Sequence, residues 1–588
     1  MKTKKTFSFF VDSENYATFA PYQIHVTMME KRNIVVVEPF STGFNLIDDV
    51  LVRGYKPVAL LAIPPGTEEE REAFRQDDEL FLARMPKDVP IIGENPNYEE
   101  VLEQVRRYDP LLVIAGSDFG VELATRLSHD LGLRGNRWEN IDKMTKKSAM
   151  HQALADAGLR HIRGRVVGSV ADARQLYDEL GTAQVVVKPS RGSGTQSVFF
   201  CEGLDETLQA AGRLLDLAER DEHVSDVLIQ ERITGREFIV NTVSCGGRHR
   251  LVSLWQYNKI PMNGTNLYEN TESISRLDIG HSRLINYAYK VLDAIGIEWG
   301  AVHGEYFVDE HGPVLIEVNC RPMGASMSRY YIEKIFGHHE TDVHLDAYLN
   351  PKKFEQEAQK PYRPLRKAMI KSLIIADDVN LQSAPVLQIA SRLKSFHSAR
   401  LHRVAGDPFI QHTHDLDSSG GIIYLISDDE QQVVDDCHFL HRLEMDYPQL
   451  LFNELKAADG HVVARQPLAE QLSQMGAEGS TLVFSDSGEQ QDGATVVDGH
   501  QLSSAYDSYE LGLLDLSREE SFLDVESLLQ QIFVFLGKLR EGGRLYVPES
   551  TYCHLPYGID GMEVLLYVAG LKIEAPKPNT SSMMIASK

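Results

Sequence analysis

The fold class is decided by the stretch His303-Gly-Glu-Tyr-Phe-Val-Asp-Glu-His-Gly-Pro-Val-Leu-Ile-Glu-Val-Asn-Cys-Arg321. Apolar and polar residues alternate on both sides of Asp309-Glu-His-Gly312, and this pattern predicts two strands, 304–308 and 314–318, joined by a hairpin turn. Because side chains alternate along a strand, His303 and Glu305 share one face, and Glu317, Asn319 and Arg321 share one face. The pairing that the Gly312 turn favours would bring these polar groups together.

The oxygen atoms of Glu305, Glu317 and Asn319 are candidate metal ligands. Two neighbouring carboxylates on a mostly apolar hairpin repel each other unless a cation lies between them. Hard oxygen ligands suit Mg²⁺, with Mn²⁺ as the alternative ion. A solvated polar face is the simpler interpretation, but the apolar residues between the polar ones favour a packed hairpin.

A candidate phosphate site precedes the hairpin, at Val185-Val-Val-Lys188-Pro followed by Ser190-Arg-Gly-Ser-Gly-Thr195. A lysine at the end of a buried strand is costly unless it meets an anion, because desolvation penalises the ammonium group. The small residues after it let backbone N–H groups approach phosphate oxygens. A strand-end lysine beside an ordinary glycine turn would give the same pattern.

A candidate adenine edge lies at Leu228-Ile-Gln-Glu231, with Glu237 a few residues further on. An amide and an acid at a strand end can hydrogen-bond a base edge through side chain and backbone, and a later carboxylate can accept ribose hydroxyls. An acidic strand end followed by a turn is the alternative. The sequence contains no Gly-x-x-x-x-Gly-Lys-Ser/Thr and no His-Glu-x-x-His, which excludes a P-loop enzyme and that type of zinc protease.

Composition sets the class of protein and its partners. The chain has 588 residues and a formal net charge of −26, so several domains are expected and nucleic acid or anionic membrane partners are not. No stretch approaches the roughly 20 apolar residues of a membrane span. The five cysteines lie far apart, which is typical of a reducing compartment, and we expect a cytoplasmic protein.

Strands alternating with helices predict an α/β protein of several parts. We expect a tail or an added strand over 1–32, a doubly wound domain over 33–140, a central domain over 141–350, a linker over 351–366, a further subdomain over 366–455 and a final α/β domain over 475–588. The last part is similar to the second half of a class I methyltransferase fold. Its glycine-rich cofactor loop is missing, which favours a scaffold or interface domain.

The three polar segments, in this order and at these spacings, resemble the ATP-grasp superfamily, and within it the L-amino-acid ligases that form dipeptides. The resemblance covers about residues 33–345 and extends towards 455. It implies an N-terminal Rossmann-like domain, a mobile α+β lid and a central α+β domain. The stretch Lys147-Ser-Ala-Met150 matches the family helix that supplies a first nucleotide lysine.

The resemblance also implies roles for individual residues. Lys147 and Lys188 would hold the ATP phosphates below a loop containing Ser193 and Gly194. Gln230, Glu231 and Ile233 would line the adenine and Glu237 the ribose, while Glu305, Glu317 and Asn319 would bind Mg²⁺. Arg321, together with Lys188, would be catalytic, and the candidates for contact with substrate are His303, Trp255 and Gly324, although Trp255 and Tyr257 also fit core packing.

The implied function is ATP-dependent joining of a small carboxylate to an amine, both amino acids, through an acyl phosphate. Two alternatives stay open: another ATP-grasp outcome, such as carboxylation or ligation to a peptide or protein tail, and a non-catalytic nucleotide-binding interaction protein. The sequence also leaves a homodimer open. A set of histidines that includes His412 and His414 lacks partners at ligand-like spacing, and we expect surface or packing roles for them.

Overall fold

A computed structural model describes residues 10–12, 32–64, 68–190, 198–220, 226–262, 265–378, 385–402, 411–416, 418–452, 465–476, 480–487, 489–492, 494–498, 501–502, 509–516, 525–552, 558–574 and 583–587. The chain forms two compact units. One comprises 18–258 and 271–368, and the other comprises 1–17, 259–270 and 369–588. No helix in the described part of the chain is both long and apolar enough to cross a membrane.

The first unit begins with a parallel sheet whose strands lie in the order β4-β3-β2-β5. Its elements are β2 (Asn33–Val37), α1 (Asn45–Val52), β3 (Lys56–Leu60), α2 (Glu68–Leu82), β4 (Ile91–Ile92), α3 (Tyr98–Arg106), β5 (Pro110–Ala115) and α4 (Gly120–Asp130). Ile34 and Val36 pack towards α1, whereas Val35 and Val37 pack towards α3 and α4. Both faces are therefore covered, which is why these strands are almost continuously apolar, and the predicted α/β class is confirmed.

Two glycines bring the site-forming loops of this sheet together. A Cβ added at Gly43 would lie 2.1 Å from the carbonyl oxygen of Gly116, and one at Gly116 would lie 2.4 Å from that of Glu38. No side chain fits such a backbone-to-backbone approach. The loops after β2 and β5 therefore lie together at the carboxyl edge of the sheet, where ligands of open α/β sheets bind.

An antiparallel four-stranded sheet, which we call the lid, follows in the order β6-β9-β7-β8. Its elements, with the short helices before it, are α5 (Ile141–Thr145), α6 (Lys147–Asp156), β6 (Gly164–Val167), α7 (Val170–Leu180), β7 (Gln184–Pro189), β8 (Phe199–Glu202), α8 (Leu204–Arg220) and β9 (Val227–Glu231). Val185, Val187, Val227 and Ile229 pack against α7 and α8. The alternate residues, which include Lys188 and Gln230, therefore occupy the opposite face.

The central sheet of the first unit carries the predicted hairpin, and its strands run β11-β10-β13-β14, all antiparallel. The elements of this region are β10 (Arg236–Cys245), β11 (Arg248–Met262), β12 (Thr265–Ser273), α9 (Ile279–Ile295), β13 (Trp299–Asp309), β14 (Gly312–Asn319), α10 (Arg329–Phe336), α11 (Glu340–Leu349) and α12 (Pro351–Ala358). One face packs on α9 through residues such as Phe238, Val240 and Tyr306. The other face carries the polar side chains.

The predicted linker over 351–366 is wrong in its first half. Pro351 opens α12, a position where proline is favoured because its missing N–H would be unpaired anyway. Phe354 is completely buried in the core of the N-terminal sheet. The segment is rich in Lys, Gln and Glu because the rest of the helix faces solvent. This composition is typical of a linker, and the one buried residue, Phe354, was not enough to indicate a packed helix.

The second unit contains two groups of strands. The first has the order β1-β16-β17-β15 and contains β1 (Phe10–Asp12), β15 (Lys367–Leu373), α13 (Val386–Ala390), β16 (Phe396–Leu401), β17 (Gly421–Ser427), α14 (Glu430–Asp446) and α15 (Gln449–Phe452). The second has the order β19-β18-β20-β21-β23-β22 and contains α16 (Leu468–Met475), β18 (Thr481–Ser485), β19 (Thr495–Val497), β20 (Tyr509–Asp515), α17 (Val525–Gly537), β21 (Leu539–Pro548), α18 (Glu549–Tyr552), α19 (Gly558–Val568), β22 (Lys572–Glu574) and β23 (Met583–Ser587).

The two groups of strands share one apolar core, in which Met369, Leu425, Leu482 and Leu545 belong to a single cluster. The structure thus joins the predicted parts 366–455 and 475–588 in one compact unit, whereas the sequence analysis separated them. At the carboxyl ends of β18 and β20, the Arg465 guanidinium bonds the fully buried Asp515 at 2.6 Å and Glu489 at 2.8 Å. The crevice where the strand order reverses is therefore filled by a side chain of this chain.

Candidate active site

The central hairpin forms, with a bulge that shifts its pairing between Glu305 and Tyr306. Glu305 lies directly opposite Glu317, and His303 lies opposite Asn319, with Asp309 opposite Gly312 at the turn. Directly opposed residues share one face of a sheet, with Cβ atoms about 4.5–5.5 Å apart. The structure therefore brings together four of the five polar residues that the sequence placed on this hairpin, and the fifth, Arg321, follows the end of β14.

The Glu317 carboxylate is held by donors of this chain. Its Oε2 lies 2.6 Å from Lys147 Nζ, and its Oε1 accepts a hydrogen bond of 3.2 Å from the Asn319 amide. Burial opposes ionisation of this group, but the Lys147 ammonium and the Asn319 amide outweigh burial and lower the pKa of Glu317 below its ordinary value. The carboxylate is thus ionised at neutral pH, as a metal ligand must be.

The second lysine, Lys188, stands at the end of β7 on the open face of the lid. Burial, together with the neighbouring Lys147 ammonium, lowers the pKa of Lys188 to about 8, against the attraction of Glu317 and Glu305. Two ammonium groups this close repel each other unless negative charge is supplied. The phosphates of a nucleotide are one such source of charge.

Glu305 belongs to a polar network that the sequence analysis found only in part. Glu305 Oε1 accepts from Tyr257 Oη at 3.4 Å and lies 3.1 Å from His303 Nε2, while His303 Nδ1 donates to Asn241 Oδ1 at 2.9 Å. Burial, followed by the carboxylates of Glu305 and Glu237, raises the pKa of Tyr257 well above its ordinary value, so the phenol stays protonated. Asn241 lies on β10 and Tyr257 on β11. The only sequence signal for their roles is that alternation places them on the same face of the sheet as the polar residues.

Arg321 follows the hairpin and is held by the N-terminal sheet. Its guanidinium bonds Asp118 Oδ2 at 2.6 Å, and Asp118 lies in the loop after β5. Burial opposes the charge, but Asp118 and then the Glu305 and Glu317 carboxylates raise the pKa of Arg321 above its ordinary value. The arginine is therefore permanently charged beside the acidic hairpin. The sequence analysis gave Asp118 no role, because its partner lies about two hundred residues away.

The predicted adenine edge holds an amide without partners. Gln230 is 1% exposed, and neither its Oε1 nor its Nε2 has a hydrogen-bond partner among the described residues. A buried unpaired amide is costly, and such groups mark places where a ligand or water completes the bonding. The Glu231 carboxylate is bonded to Arg163 at 2.7 Å, and the Glu231 N–H donates to the Arg163 carbonyl at 2.9 Å, so neither group is available to a base. Ile233 lies in the loop between β9 and β10, and Glu237, on β10, is buried opposite Tyr257.

The remaining predicted residues have different environments. Ser193 and Gly194 lie outside the described residues. Trp255 is on the polar face of the sheet but is fully buried, edge-on to Phe336 at 5.5 Å, with its Nε1 donating to Ser253. We therefore correct its assignment from substrate contact to core packing. Gly324 is half-buried, and a Cβ added there would meet nothing within 4 Å.

Two loops are tied together beside Arg321, in an arrangement that we call the clasp (residues 41–45 and 324–327). Thr42 Oγ1 donates to the carbonyl of Gly324 at 2.7 Å and accepts from the amide of Met327 at 3.0 Å. The Ser326 amide donates to Ser41 Oγ at 3.0 Å, and both residues, like Ala325 and Glu38, have positive φ angles. Strained backbone of this kind occurs mainly at functional sites.

The donor set fits a magnesium ion that nucleotide phosphates help to coordinate. Two opposed carboxylates and an amide oxygen are hard ligands on one face, with one carboxylate firmly ionised. Within the described ranges, no group of three or more His, Cys, Asp or Glu side chains is arranged for a metal. A site with two carboxylates would obtain its other ligands from substrate phosphates and water, as Mg²⁺ sites usually do.

Comparisons with known proteins agree with this geometry. A family model described as "ATP-grasp domain" matches residues 169–325. Dapdiamide A synthase from Enterobacter agglomerans is 31% identical over 428 residues, which cover 71% of this chain and 97% of that protein. The L-arginine-specific L-amino acid ligase of Bacillus subtilis is 26% identical over 37% of this chain and 54% of its own length.

Among solved structures, the L-amino acid ligase from Bacillus licheniformis superimposes with a TM-score of 0.54 and 17% identity, over 70% of this chain and 98% of that chain. The chain belongs to the ATP-grasp family. It is an ATP-grasp ligase of the kind that forms carbon–nitrogen bonds.

Proposed function

We propose that this protein joins two amino acids through an amide bond, driven by ATP and by way of an acyl phosphate. One arrangement carries the proposal: Lys147, Lys188 and Arg321 surround the opposed carboxylates Glu305 and Glu317. The similarity to dapdiamide A synthase over nearly all of that protein supports a ligase that uses an amino-acid-like acid and amine.

The nucleotide would lie between the lid and the central hairpin. Lys147 and Lys188 would hold its phosphates, with Ser193 and Gly194 in the loop above. The unpaired Gln230 amide, the Glu231 backbone and Ile233 would line the adenine, and Glu237 would accept the ribose hydroxyls. Binding then supplies the partners that the Gln230 side chain lacks within the described part of the chain.

Glu305, Glu317 and Asn319 would hold Mg²⁺, with Mn²⁺ as the alternative ion. The metal would act as a Lewis acid that neutralises charge on the phosphoryl oxygens. A metal bound through Oε2 of Glu317 would displace Lys147, whose Nζ lies 2.6 Å from that oxygen. We infer that Lys147 moves onto a phosphate when the nucleotide arrives.

The residues present are suited to both chemical steps. In the first step, a substrate carboxylate oxygen bonds to the γ-phosphorus as the bond to ADP breaks, and Lys188 and Arg321 stabilise the charge on the transferred group. In the second step, the substrate amine bonds to the acyl carbon, phosphate leaves, and the nitrogen loses a proton. Arg321 stabilises the oxyanion of the tetrahedral adduct. No side-chain nucleophile is needed.

The acid and the amine would be bound near the clasp. Gly324 faces open space there, and His303 lies within the polar network next to Glu305. Asp118 holds Arg321 in place between the N-terminal sheet and the hairpin. We place this activity in the cytoplasm, because the five separated cysteines suit a reducing compartment.

A product assay tests the proposal. The purified full chain is incubated with ATP, Mg²⁺ and pooled amino acids, and phosphate release is followed together with product mass. We expect products whose mass equals two amino acids less one water, with one ADP and one phosphate formed for each. A parallel reaction with bicarbonate as the acid tests the carboxylase alternative. Turnover with bicarbonate alone, or AMP as the nucleotide product, would refute the proposal.

Two variants make the assay specific for this site. Glu317→Gln should abolish product formation, because it removes an ionised ligand. Glu310→Gln is the matched control, since Glu310 lies in the turn of the same hairpin with its side chain 84% exposed. Equal loss in both variants would indicate damage to the fold and not the loss of a ligand.

A further inference from the structure

A second cavity lies in the first unit, away from the nucleotide site. Its volume is about 380 Å³, within the range of small-molecule sites. The start of β11, the outer part of α9, the end of α10 and the segment after α12 form its walls. It shares no lining residue with the predicted ATP, metal or substrate residues. Arg250 in its wall precedes Tyr257 by seven positions on β11, roughly 23 Å along an extended strand.

The aromatic walls of this cavity are fixed by hydrogen bonds to the backbone. Tyr289 Oη accepts from the Leu251 amide at 2.8 Å, and Tyr362 Oη accepts from the Leu254 amide and donates to the Ile274 carbonyl at 3.1 Å. His338 Nε2 donates to the carbonyl of Val252 at 3.0 Å. The rings are therefore already held in position, as in most small-molecule sites.

Apolar side chains complete the lining. Leu251, Leu277, Ile285 and Phe336 all face the cavity. Leu277 is 38% exposed and so offers apolar surface to a ligand in the cavity. A ligand with an apolar body would cover this surface.

Among the described residues that line the cavity, three cationic side chains, Arg250, Lys360 and Arg363, face one carboxylate, that of Glu357. Arg250 is half-buried and has no hydrogen-bond acceptor among the described residues, and the same holds for the exposed Arg363. Lys360, in contrast, is bonded to Glu357 at 2.6 Å. Burial lowers the pKa of Arg250 below its ordinary value, and the carboxylate of Glu357 opposes this without bonding to it. On a chain with a net charge of −26, a recessed guanidinium without an acceptor points to an anionic ligand.

We propose that this cavity binds a small amphipathic carboxylate, with its carboxyl group on Arg250 and its apolar body between Leu277, Ile285 and the aromatic walls. The planar guanidinium fork matches a carboxylate in bidentate geometry. A multiply charged phosphate would have to lose its hydration against the apolar lining, which is costly. The proposal does not depend on the proposed ligase function.

Isothermal titration of the nucleotide-free full chain with 3-phenylpropionate tests the proposal. We expect one site with a Kd below about 1 mM. Acetate, which lacks the apolar body, 3-phenylpropanamide, which lacks the charge, and inorganic phosphate should each bind at least about tenfold more weakly. Binding should persist in Glu317→Gln, because the cavity is separate from the hairpin.

Matched variants locate the binding. Arg250→Gln should weaken it at least about tenfold, whereas Arg248→Gln, on the same strand and with the same charge change, should not. Arg248 is 71% exposed and bonded to Glu355 outside the cavity. Leu277→Asp leaves Arg250 intact, is tolerated at a partly exposed position, and should abolish binding by placing a carboxylate in the wall. Unchanged affinity in Arg250→Gln, tighter binding of phosphate than of 3-phenylpropionate, or loss of binding in Glu317→Gln would each overturn the proposal.

Discussion

Lys147 Nζ lies 2.6 Å from Glu317 Oε2, so a candidate phosphate ligand and a candidate metal ligand neutralise each other in this structure. Each charge is half-buried or buried, and each would be costly alone. The ion pair therefore keeps the site ready for a nucleotide and its metal, because both partners are released together when those ligands arrive.

Replacing Lys147 should weaken nucleotide binding. Lys147→Met removes one charge-assisted bond to the phosphates, so the Kd for ATP should rise about 10- to 100-fold, or ~1.5–3 kcal/mol. The measurement is isothermal titration with ATP and Mg²⁺. Lys146→Met is the control, since Lys146 bonds only the surface residue Asp142 in the described structure. Equal weakening in both variants would count against the assignment.

The affinity for ATP should depend on pH through Lys188. The pKa of Lys188 is about 8 in the free protein, and only the protonated amine attracts phosphate. The Kd for ATP should therefore be constant below about pH 7 and rise as the pH passes 8. Lys188→Arg should flatten this dependence, because a guanidinium stays charged over the whole range. The same pH dependence in Lys188→Arg would exclude Lys188 as its source.

Turnover should depend on Arg321 far more than nucleotide affinity does. Arg321→Ala should lower kcat at least about 100-fold, since the charge acts mainly on the transferred group, and should leave the Kd for ATP within about threefold. Asp118→Asn should retain the guanidinium but loosen its position, and so should give an intermediate kcat. Steady-state kinetics with titrated ATP separate the two effects. A large change in Kd without a change in kcat would contradict the role.

Folding stability should decline at alkaline pH through His339. Its Nε2 lies 2.9 Å from Asp49 and its Nδ1 lies 2.7 Å from Glu333. Although burial opposes the charge, Asp49 and then Glu333 raise the pKa of His339 from 6.5 to about 9. Because the folded-state pKa is the higher one, this stabilisation is complete below about pH 6.5 and is lost as the pH rises through 9.

To test the role of His339, the free energy of unfolding by denaturant is measured for the wild type and for His339→Gln at several pH values. The free-energy difference between the wild type and His339→Gln should be on the order of 2–3 kcal/mol at pH 6 and should shrink towards pH 10. His311→Gln is the control, because His311 is 73% exposed on the hairpin turn. Glu38 and Glu340, whose pKa values burial raises to about 8, affect both proteins equally and cancel in the difference. A constant difference across this range would refute the ion-pair account.

In the second unit, Arg465→Met should lower stability by about 3 kcal/mol, because it leaves the fully buried Asp515 without its ion partner. Asp515→Asn in the same chain should restore part of the loss. Thermal unfolding of the full chain, followed by a probe in this unit, measures both effects. An unchanged unfolding temperature in Arg465→Met would show that the bonds of Arg465 to Asp515 and Glu489 contribute little to the stability of this unit.

Local pattern was enough to predict the two strands and the turn of the hairpin, but not the bulge that places Glu305 opposite Glu317. Local pattern could not predict that Asp118, Asn241 and Tyr257 bond to site residues. These contacts join segments far apart in the chain, and the periodicity of one segment says nothing about which distant segment lies next to it. Trp255 shows the same limit. Alternation along β11 places it on the polar face, but its contact with the Phe336 ring is visible only in the three-dimensional structure. The shared core of the second unit likewise depends on contacts between distant segments.

The clasp has a consequence for how the enzyme admits its substrates. Five hydrogen bonds, from Ser41, Thr42 and Asn45 to the loop after the hairpin, would have to break at once for the N-terminal sheet to separate from it. We therefore expect the N-terminal sheet and the loop after the hairpin to behave as one rigid part, so that substrate entry and product exit depend on movement of the lid. A disulfide engineered across the clasp should be silent in turnover, whereas one that pins the lid should stop it.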